Sequence, residues 1–231
     1  PVNYVQICID GQEVLSPELP IAHGYGRPYN YIELPDEDGL FELRDVPHGT
    51  LTQEFYKSQI SDNWEKLILY LPPCVPSAGL PVLYLQHGFG ESEISWSTTG
   101  KVNLLMDNLI AAGKIKPFAI VMGNGMVKQR IDGELKLNRA LYGQMLVEEI
   151  LPMIEKKYQF GGSKEKRGMA GLSMGSVQTT RTICEHPELF SEVGLFSGFL
   201  RHRIVGDEEH DGIISKACEQ SYLNAMDDVA F

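Results

Sequence analysis

The segment 171–175, which reads Gly-Leu-Ser-Met-Gly, constrains the fold of this chain more than any other part of the sequence. It follows a run of small and apolar residues that is typical of a strand, and it leads directly into a segment with helical spacing. In such a G-x-S-x-G turn the glycines avoid clashes, and the strained backbone raises the serine hydroxyl above the sheet edge. The free N–H groups at the start of the helix can stabilise an oxyanion. The segment therefore predicts Ser173 as a nucleophile, with a structural Gly/Ser turn as the alternative.

The pattern around this turn predicts an α/β fold. Apolar strand-like segments alternate with helix-like segments from residue 81 onward, which is typical of a parallel sheet that is covered on both faces. The predicted strands are 82–86, 118–122, 167–171 and 193–196, and the predicted helices are 102–112, 141–158, 174–186 and 213–229. The segments 50–56 and 65–71 are expected to form an antiparallel pair at the sheet edge. We therefore expect the α/β-hydrolase fold, with a mostly parallel, doubly wound sheet.

The first 45 residues differ from the rest. They contain short strand-like segments at 5–9, 30–34 and 40–43, which are interrupted by glycine, proline and acidic turns. We expect residues 1–45 to form a small β-rich lead-in, or the remnant of an accessory domain, and residues 46–231 to form the catalytic domain.

Composition limits the partners and cofactors. The net charge of −11 and the pI near 5.0 argue against nucleic acid or an anionic membrane as a partner, whereas a neutral polysaccharide is compatible with them. No apolar run is long enough to span a membrane or resembles a signal peptide. The four cysteines have neither the spacing of a zinc site nor that of a dense disulfide framework, so we expect buried thiols and no metal; they are Cys8, Cys74, Cys184 and Cys218.

A second glycine-rich turn, Gln-His-Gly-Phe-Gly at residues 86–90, directly follows the predicted strand 82–86. Turns at this place in α/β-hydrolases contribute one backbone N–H to the oxyanion hole. We therefore predict the N–H groups of Phe89 and Met174 as the two oxyanion donors, with Gly90 as the substitute for Phe89. Gly88 and Gly90 are expected to let the backbone fold over the bound acyl group. His87 is predicted to be structural, because its place in the turn lies beneath the site.

Together these motifs resemble the feruloyl and acetyl-xylan esterases of carbohydrate esterase family one, relatives of esterase D. The matching segments are VPHG at 46–49, LYLPP at 69–73, LYLQHGFGESEISW at 83–96, MDNLIAAGK at 106–114, EILPMIEKKY at 149–158 and AGLSMG at 170–175. The resemblance implies hydrolysis of ester groups on plant cell-wall polysaccharide such as xylan, without a metal or organic cofactor. It also implies that Glu93 and Trp96 support or line the loop over the oxyanion hole, with simple loop packing as the alternative. A secreted enzyme is expected, and a cytoplasmic one remains possible.

The family order places an acid and then a histidine after the serine, on later strands of the sheet. After the predicted helix 174–186, the chain supplies one predicted strand, a polar loop and one further helix, so we expect it to be a fragment whose acid and histidine lie beyond residue 231. His186 is interpreted as a surface cap, and His210 with a neighbouring carboxylate is the alternative base. A sheet without its last strands exposes an edge, which a homodimer or a swapped element could cover.

Three functions are compatible with these residues. The first is a serine esterase that acts on feruloyl or acetyl esters of xylan through an acyl-enzyme at Ser173. The second is a general carboxylesterase, thioesterase or acyltransferase, because the acyl pocket is shaped by loops that the sequence does not place. The third is a non-catalytic carbohydrate-binding protein on a hydrolase core.

Overall fold

The lead-in forms a small β-structure in the computed structural model, which describes residues 2–198. Its strands are β1 (Val2–Val5), β2 (Ile7–Ile9), β3 (Gln12–Val14), β4 (Ile21–Gly24) and β5 (Arg27–Glu33). β5 pairs antiparallel with both β1 and β4, and β2 and β3 form a separate hairpin.

The strand predicted at 40–43 is wrong. The carboxylate of Asp36 accepts hydrogen bonds from the N–H groups of Leu40 and Phe41, at 2.5 and 3.2 Å, and this closes a turn in place of a strand. Aspartate commonly stabilises turns in this way, because its side chain competes with sheet partners for backbone N–H groups.

A six-stranded sheet forms the centre of the chain. Its strands are β6 (Thr50–Lys57), β7 (Trp64–Leu71), β8 (Val82–Gln86), β9 (Ala119–Gly123), β12 (Arg167–Leu172) and β13 (Glu192–Phe196), and their order is β13-β12-β8-β9-β7-β6. The antiparallel pair predicted at 50–56 and 65–71 is confirmed as β6 and β7. The neighbours β13, β12, β8 and β9 are mutually parallel, and the sheet is mixed because β7 runs antiparallel to β9.

A two-stranded hairpin, β10 (Lys128–Ile131) and β11 (Glu134–Leu137), interrupts the alternation of strands and helices. Asp132 and Gly133 connect its strands with φ angles of 53° and 83°, respectively. Two consecutive positive φ angles are typical of the type I′ turn, for which Asp-Gly is a favoured sequence. The sequence analysis did not predict this hairpin.

Helices cover both faces of the sheet. They are α1 (Ser95–Thr98), α2 (Val102–Ala111), α3 (Tyr142–Met145), α4 (Leu151–Tyr158) and α5 (Met174–Glu185), and a π-helical stretch, Leu146–Ile150, joins α3 to α4. The predicted helices 102–112, 141–158 and 174–186 are therefore confirmed, and the helix predicted at 213–229 lies outside the described residues.

The apolar residues of the strands divide between two cores, one on each face of the sheet. Leu67, Tyr84 and Val121 belong to one core, and Ile68, Leu85 and Ile120 belong to the other. This division follows from the alternation of side chains along each strand, and it explains why the strands are apolar without interruption. The sheet order, the helices on both faces and the serine turn after β12 establish the α/β-hydrolase fold predicted from the sequence.

Candidate active site

Ser173 lies at a sharp turn between β12 and α5, with φ 53° and ψ −108°. Its N–H donates a hydrogen bond to the carbonyl oxygen of Phe196 at 2.9 Å. A Cβ added at Gly171 would lie 2.3 Å from the carbonyl carbon of Gly175, and one added at Gly175 would lie 2.7 Å from the carbonyl oxygen of Gln86. Both positions therefore require glycine, and the strained turn expected from the sequence is present.

The glycine-rich turn 86–90 lies directly beside the serine turn. β8 and β12 are parallel neighbours, and Gln86 is the register partner of Gly171. The carboxyl ends of parallel strands meet at the same edge of a sheet, where the ligand sites of α/β proteins commonly lie. The two motifs that the sequence singles out are thus brought together by strand pairing.

The N–H groups of the predicted oxyanion donors point to no partner within residues 2–198. Phe89 and Met174 each donate no hydrogen bond to a described residue, and the same is true of Gly90. Met174 is the first residue of α5, so its N–H is one of those that a helix leaves without an internal acceptor. Gly88 differs, because its N–H donates to Oε2 of Glu91 at 2.8 Å.

Gly90 is required by a contact that the sequence did not predict. Its φ is +76°, and an added Cβ would lie 1.8 Å from the backbone nitrogen of Gly26 in the turn between β4 and β5. The N–H of Tyr25 donates to the carbonyl oxygen of Phe89 at 3.1 Å, and that of Gly26 donates to the carbonyl oxygen of Gly90 at 3.4 Å. The lead-in therefore lies directly on the loop that carries Phe89.

His87 supports this loop from below, as predicted. Its Nε2 accepts a hydrogen bond from the N–H of Gly125 at 2.9 Å, so Nδ1 carries the proton and donates to the carbonyl oxygen of Gly88 at 2.8 Å. Burial lowers the pKa of the imidazole, which favours this neutral form. Both ring nitrogens are occupied, and the interpretation of His87 as structural is confirmed.

Trp96 and Glu93 lie on the segment that follows the turn. Nε1 of Trp96 donates to the carbonyl oxygen of Gln86 at 2.9 Å, and its ring centroid lies 6.1 Å from that of Phe196. The side chain of Glu93 is 1% exposed, and its Oε1 lies 2.8 Å from Nζ of Lys66. Both side chains thus hold the loop against the sheet, and Trp96 also lines a cleft.

This cleft has a volume of about 230 Å³ and reaches the serine turn. Six of the residues that line it are Tyr4, Glu91, Trp96, Thr99, Gly100 and Leu172. Leu172 immediately precedes Ser173, so the cleft begins one residue from the predicted nucleophile. We refer to it below as the Trp96 cleft.

Several residues that position the site were not predicted. Nε2 of Gln86 donates to the hydroxyl of the buried Tyr142, and Nε2 of Gln178 donates to the carbonyl oxygens of Gly125 and Arg139, at 2.9 and 3.1 Å. The guanidinium of Arg139 lies 5.1 Å from the ring centroid of Phe89. These contacts join elements that are distant in sequence, and no local motif indicates them.

No histidine among the described residues hydrogen-bonds to the Ser173 hydroxyl. His186 lies at the end of α5, partly exposed, with Nδ1 3.6 Å from Oε1 of Glu188, as expected for a surface cap. His48 is held by Asp107 and by the carbonyl oxygen of Arg44. His202 and His210 lie outside the described residues, and so do the acid and the catalytic histidine that are expected beyond residue 231.

The cysteines correct one expectation. Cys8 on β2 and Cys74 after β7 are exposed, so the prediction of buried thiols is wrong for these two, whereas Cys184 in α5 is buried. Cys218 lies outside the described residues.

Over residues 2–198, no three histidine, cysteine or acidic side chains are grouped closely enough to hold a metal ion. In the same part of the chain, no helix combines the length and the apolar character that crossing a membrane requires.

Comparison with known proteins identifies the family. The Esterase family model matches residues 58–226. An endo-1,4-beta-xylanase/feruloyl esterase of Xylanibacter ruminicola is 37% identical over 205 residues, which is 85% of this chain and 28% of the relative. The chain therefore spans little more than a quarter of the length of this relative.

Solved structures share the fold at low identity. A CE1 ferulic acid esterase from Anaeromyces mucronatus, in complex with ferulic acid, is 20% identical, with a TM-score of 0.63 over 70% of this chain and 62% of that chain. A mutant of the feruloyl esterase module from Clostridium thermocellum, complexed with sinapinate, is 19% identical, with a TM-score of 0.62 over 92% of this chain and 70% of that chain. With the family match and the curated relative, these findings confirm the resemblance to carbohydrate esterase family one. The chain belongs to the Esterase family and has the α/β-hydrolase fold.

Proposed function

We propose that this chain is the catalytic part of a serine esterase that hydrolyses feruloyl esters, and acetyl esters as the close alternative, on plant xylan. The observation that carries the proposal is the pairing of Gln86 with Gly171, which lies beside a second turn in which the N–H groups of Phe89 and Gly90 have no hydrogen-bond acceptor among the described residues. The 37% identical xylanase/feruloyl esterase supports the choice of substrate.

In the proposed reaction, Oγ of Ser173 attacks the ester carbonyl carbon. The oxyanion of the tetrahedral intermediate accepts hydrogen bonds from the N–H groups of Phe89 and Met174, and the sugar hydroxyl leaves with a proton. Water then attacks the acyl-enzyme, which releases the carboxylic acid and restores Ser173. The reaction uses no metal and no organic cofactor. The general base and its acid belong to the part of the protein that follows the described residues.

The remaining assignments belong to the same proposal. Gly88, Gly90 and Trp96 shape the site around the bound acyl group, and the catalytic domain comprises residues 46–231 with the β-rich segment 1–45 before it. The net charge of −11 suits a neutral polysaccharide and disfavours nucleic acid and anionic membranes. Because such a polysaccharide lies outside the cell, secretion is part of the proposal, and a homodimer that covers the sheet edge is a further part.

Labelling with a fluorophosphonate probe tests the nucleophile in the full-length natural protein. We expect the wild type and S191A to be labelled and S173A to remain unlabelled, because Ser173 lies on a nucleophile turn and Ser191 does not. Ser191 is a suitable control, since it directly precedes β13 at the opposite end of the strands. Absence of labelling in all three proteins would contradict the proposed serine mechanism and favour the non-catalytic carbohydrate-binding protein. Equal labelling of all three would contradict the assignment of Ser173 as the nucleophile.

Substrate preference separates the proposed enzyme from a general carboxylesterase. We expect release of ferulate from feruloylated arabinoxylan and from methyl ferulate, with a loss of at least about 10³-fold in S173A. Rapid hydrolysis of a short-chain nitrophenyl ester without any release of ferulate or acetate from xylan would instead favour the general enzyme.

A further inference from the structure

Tyr4 on β1 lines the Trp96 cleft although it lies far from the serine turn in sequence. Its ring packs 5.3 Å from the ring of Tyr29, and its hydroxyl donates to the carbonyl oxygen of His23 at 3.4 Å. A Cβ added at Gly24 would lie 3.3 Å from the Tyr4 ring, so glycine at this position leaves room for it. Tyr4 is therefore held by β4 and β5 at the border of the cleft.

The lead-in that carries Tyr4 is fixed to the catalytic core at three places. The turn at Tyr25 and Gly26 hydrogen-bonds to the carbonyl oxygens of Phe89 and Gly90. Glu33 at the end of β5 forms an ion pair with Lys101, and β4 contacts α1, the helix that contains Trp96. Three separate contacts define the position of a rigid body, so the lead-in holds Tyr4 in a defined place relative to Ser173.

The Trp96 cleft has the composition of a site for an aromatic group with a polar substituent. Tyr4, Trp96 and Leu172 supply apolar surface, and the aromatic rings favour edge or offset contacts with another ring. Glu91 and Thr99 supply polar groups; Oε2 of Glu91 accepts the N–H of Gly88, and Oε1 has no partner among the described residues. A carboxylate oxygen is a strong acceptor for a phenolic hydroxyl.

The position and size of the cleft favour an acyl group over an oligosaccharide. In an acyl-enzyme the acyl group is bonded to Ser173, so its site must adjoin that residue, and Leu172, the residue before Ser173, lines the cleft. A volume of about 230 Å³ is below the range of about 300–1,000 Å³ that is typical of sites for drug-sized ligands. One hydroxycinnamoyl group suits this volume better than several sugar rings.

We propose that the N-terminal segment 2–33 is part of the substrate site, and that Tyr4 forms one wall of an acyl pocket that binds the hydroxycinnamoyl ring. This inference rests on the proposed function and adds a specificity-determining residue to it. It also changes the expected role of the lead-in, from the remnant of an accessory domain to a component of the active site.

Three variants of the full-length natural protein, Y4A, Y4F and F55A, test the assignment. The kcat/KM values are measured with methyl ferulate, with a feruloylated oligosaccharide and with 4-nitrophenyl acetate, whose acetyl group is too small to reach Tyr4. We expect Y4A to lower kcat/KM about tenfold for both feruloyl esters, through a higher KM. For the acetyl ester, kcat/KM should change by less than about twofold. We expect Y4F to keep most of the activity, because the ring contact remains.

F55A is the matched control. Phe55 is an aromatic residue that is 64% exposed, and it lies on β6 at the far edge of the sheet from β12. Its truncation removes a similar area of aromatic surface, and we expect no change with any of the three esters.

The remaining outcomes separate this inference from the proposed function. Equal losses on the feruloyl and acetyl esters in Y4A would mean that Tyr4 only supports the loop, and no loss would mean that it does not contact substrate; either result overturns the inference alone. A loss with the feruloylated oligosaccharide but not with methyl ferulate would overturn it too, because the cleft would then bind sugar. A wild type that hydrolyses 4-nitrophenyl acetate but neither feruloyl ester would overturn the proposed function and, with it, the pocket.

Discussion

Gly175 packs closely against the carbonyl group of Gln86, so the serine turn 171–175 and the glycine-rich turn 86–90 are in direct backbone contact. An added Cβ at Gly175 would lie 2.7 Å from the Gln86 oxygen and 2.8 Å from the carbonyl oxygen of His87. The first turn of α5 thus contacts the end of β8 without an intervening side chain. This contact determines how far the N–H of Met174 lies from the turn that carries Phe89.

Substitution of Gly175 tests this contact. G175A places a methyl group against two carbonyl oxygens of the backbone, and we expect a loss of stability of about 1–3 kcal/mol together with a large fall in kcat/KM. Thermal unfolding and ester hydrolysis are the measurements. G168A, in the preceding strand β12, is the control, because its added Cβ would meet only side-chain atoms and one backbone oxygen, all at 3.3 Å or more. A G175A protein with wild-type stability and activity would contradict the contact.

Glu91 is expected to position the oxyanion loop. E91A removes the acceptor of the Gly88 N–H and loosens the turn, so we expect kcat/KM to fall about tenfold for acetyl esters. The fall should be at least as large for feruloyl esters, because Glu91 also lines the Trp96 cleft. E91Q keeps a carbonyl oxygen at the same place, and most of the acetyl esterase activity should return. Steady-state kinetics with both esters are the measurement, and an E91A protein with unchanged acetyl ester hydrolysis would refute this role.

His48 makes stability depend on pH. Nδ1 of His48 lies 2.9 Å from Oδ2 of Asp107, and this hydrogen bond is the largest cause of a raised pKa of the imidazole. A pKa that is higher in the folded state stabilises the protein below the unfolded value near 6.5, and this contribution is lost as the pH rises through the folded value. We therefore expect the loss of this His48 contribution to lower the Tm above about pH 6.5. The same fall should be absent in H48Q. A Tm profile of H48Q that parallels the wild type would contradict the prediction.

The ion pair between Glu155 and Arg167 is expected to contribute far more to the stability of the fold than exposed ion pairs do. Nε and Nη2 of Arg167 donate to the two oxygens of Glu155 at 2.7 and 2.8 Å, and the side chains are only 11% and 9% exposed. R167A leaves a buried carboxylate without its charge partner, which costs about 3–5 kcal/mol. The control is R181A, which breaks the more exposed pair with Glu185 and should cost no more than about 0.5 kcal/mol. Chemical denaturation measures the loss of stability in both variants. Similar losses in R167A and R181A would contradict the prediction.

The parts of the fold that were predictable are those with a strong local pattern. The apolar strands β8 and β12 and the glycines at 171 and 175 were identified because their residues leave few alternatives. The segment 40–43 was misassigned because Asp36 redirects its N–H groups into a turn. The hairpin of β10 and β11 was missed although Asp132-Gly133 carries its turn signal, because its strands are exposed and lack a buried face.

The site was predictable only where its residues are neighbours in sequence or belong to a recognised motif. Glu91 lies inside the segment 83–96 that carries the family resemblance, so a signal for it was present. Tyr4 had none, because its place at the cleft depends on the pairing of β1 with β5 and on the contact of the lead-in turn with Gly90. Such long-range contacts leave no periodic pattern in the residues that make them.

The close contact between Gly26 and Gly90 also limits where this protein can be cut or recombined with a relative. Cutting the chain at residue 46 to obtain a minimal catalytic domain would strip the carbonyl oxygens of Phe89 and Gly90 of their backbone donors. Grafting the lead-in of a relative would succeed only if its turn passed equally close to Gly90, because the approach leaves no space for a side chain at Gly90. We therefore expect the core and its N-terminal strands to be transferable between relatives only as one unit.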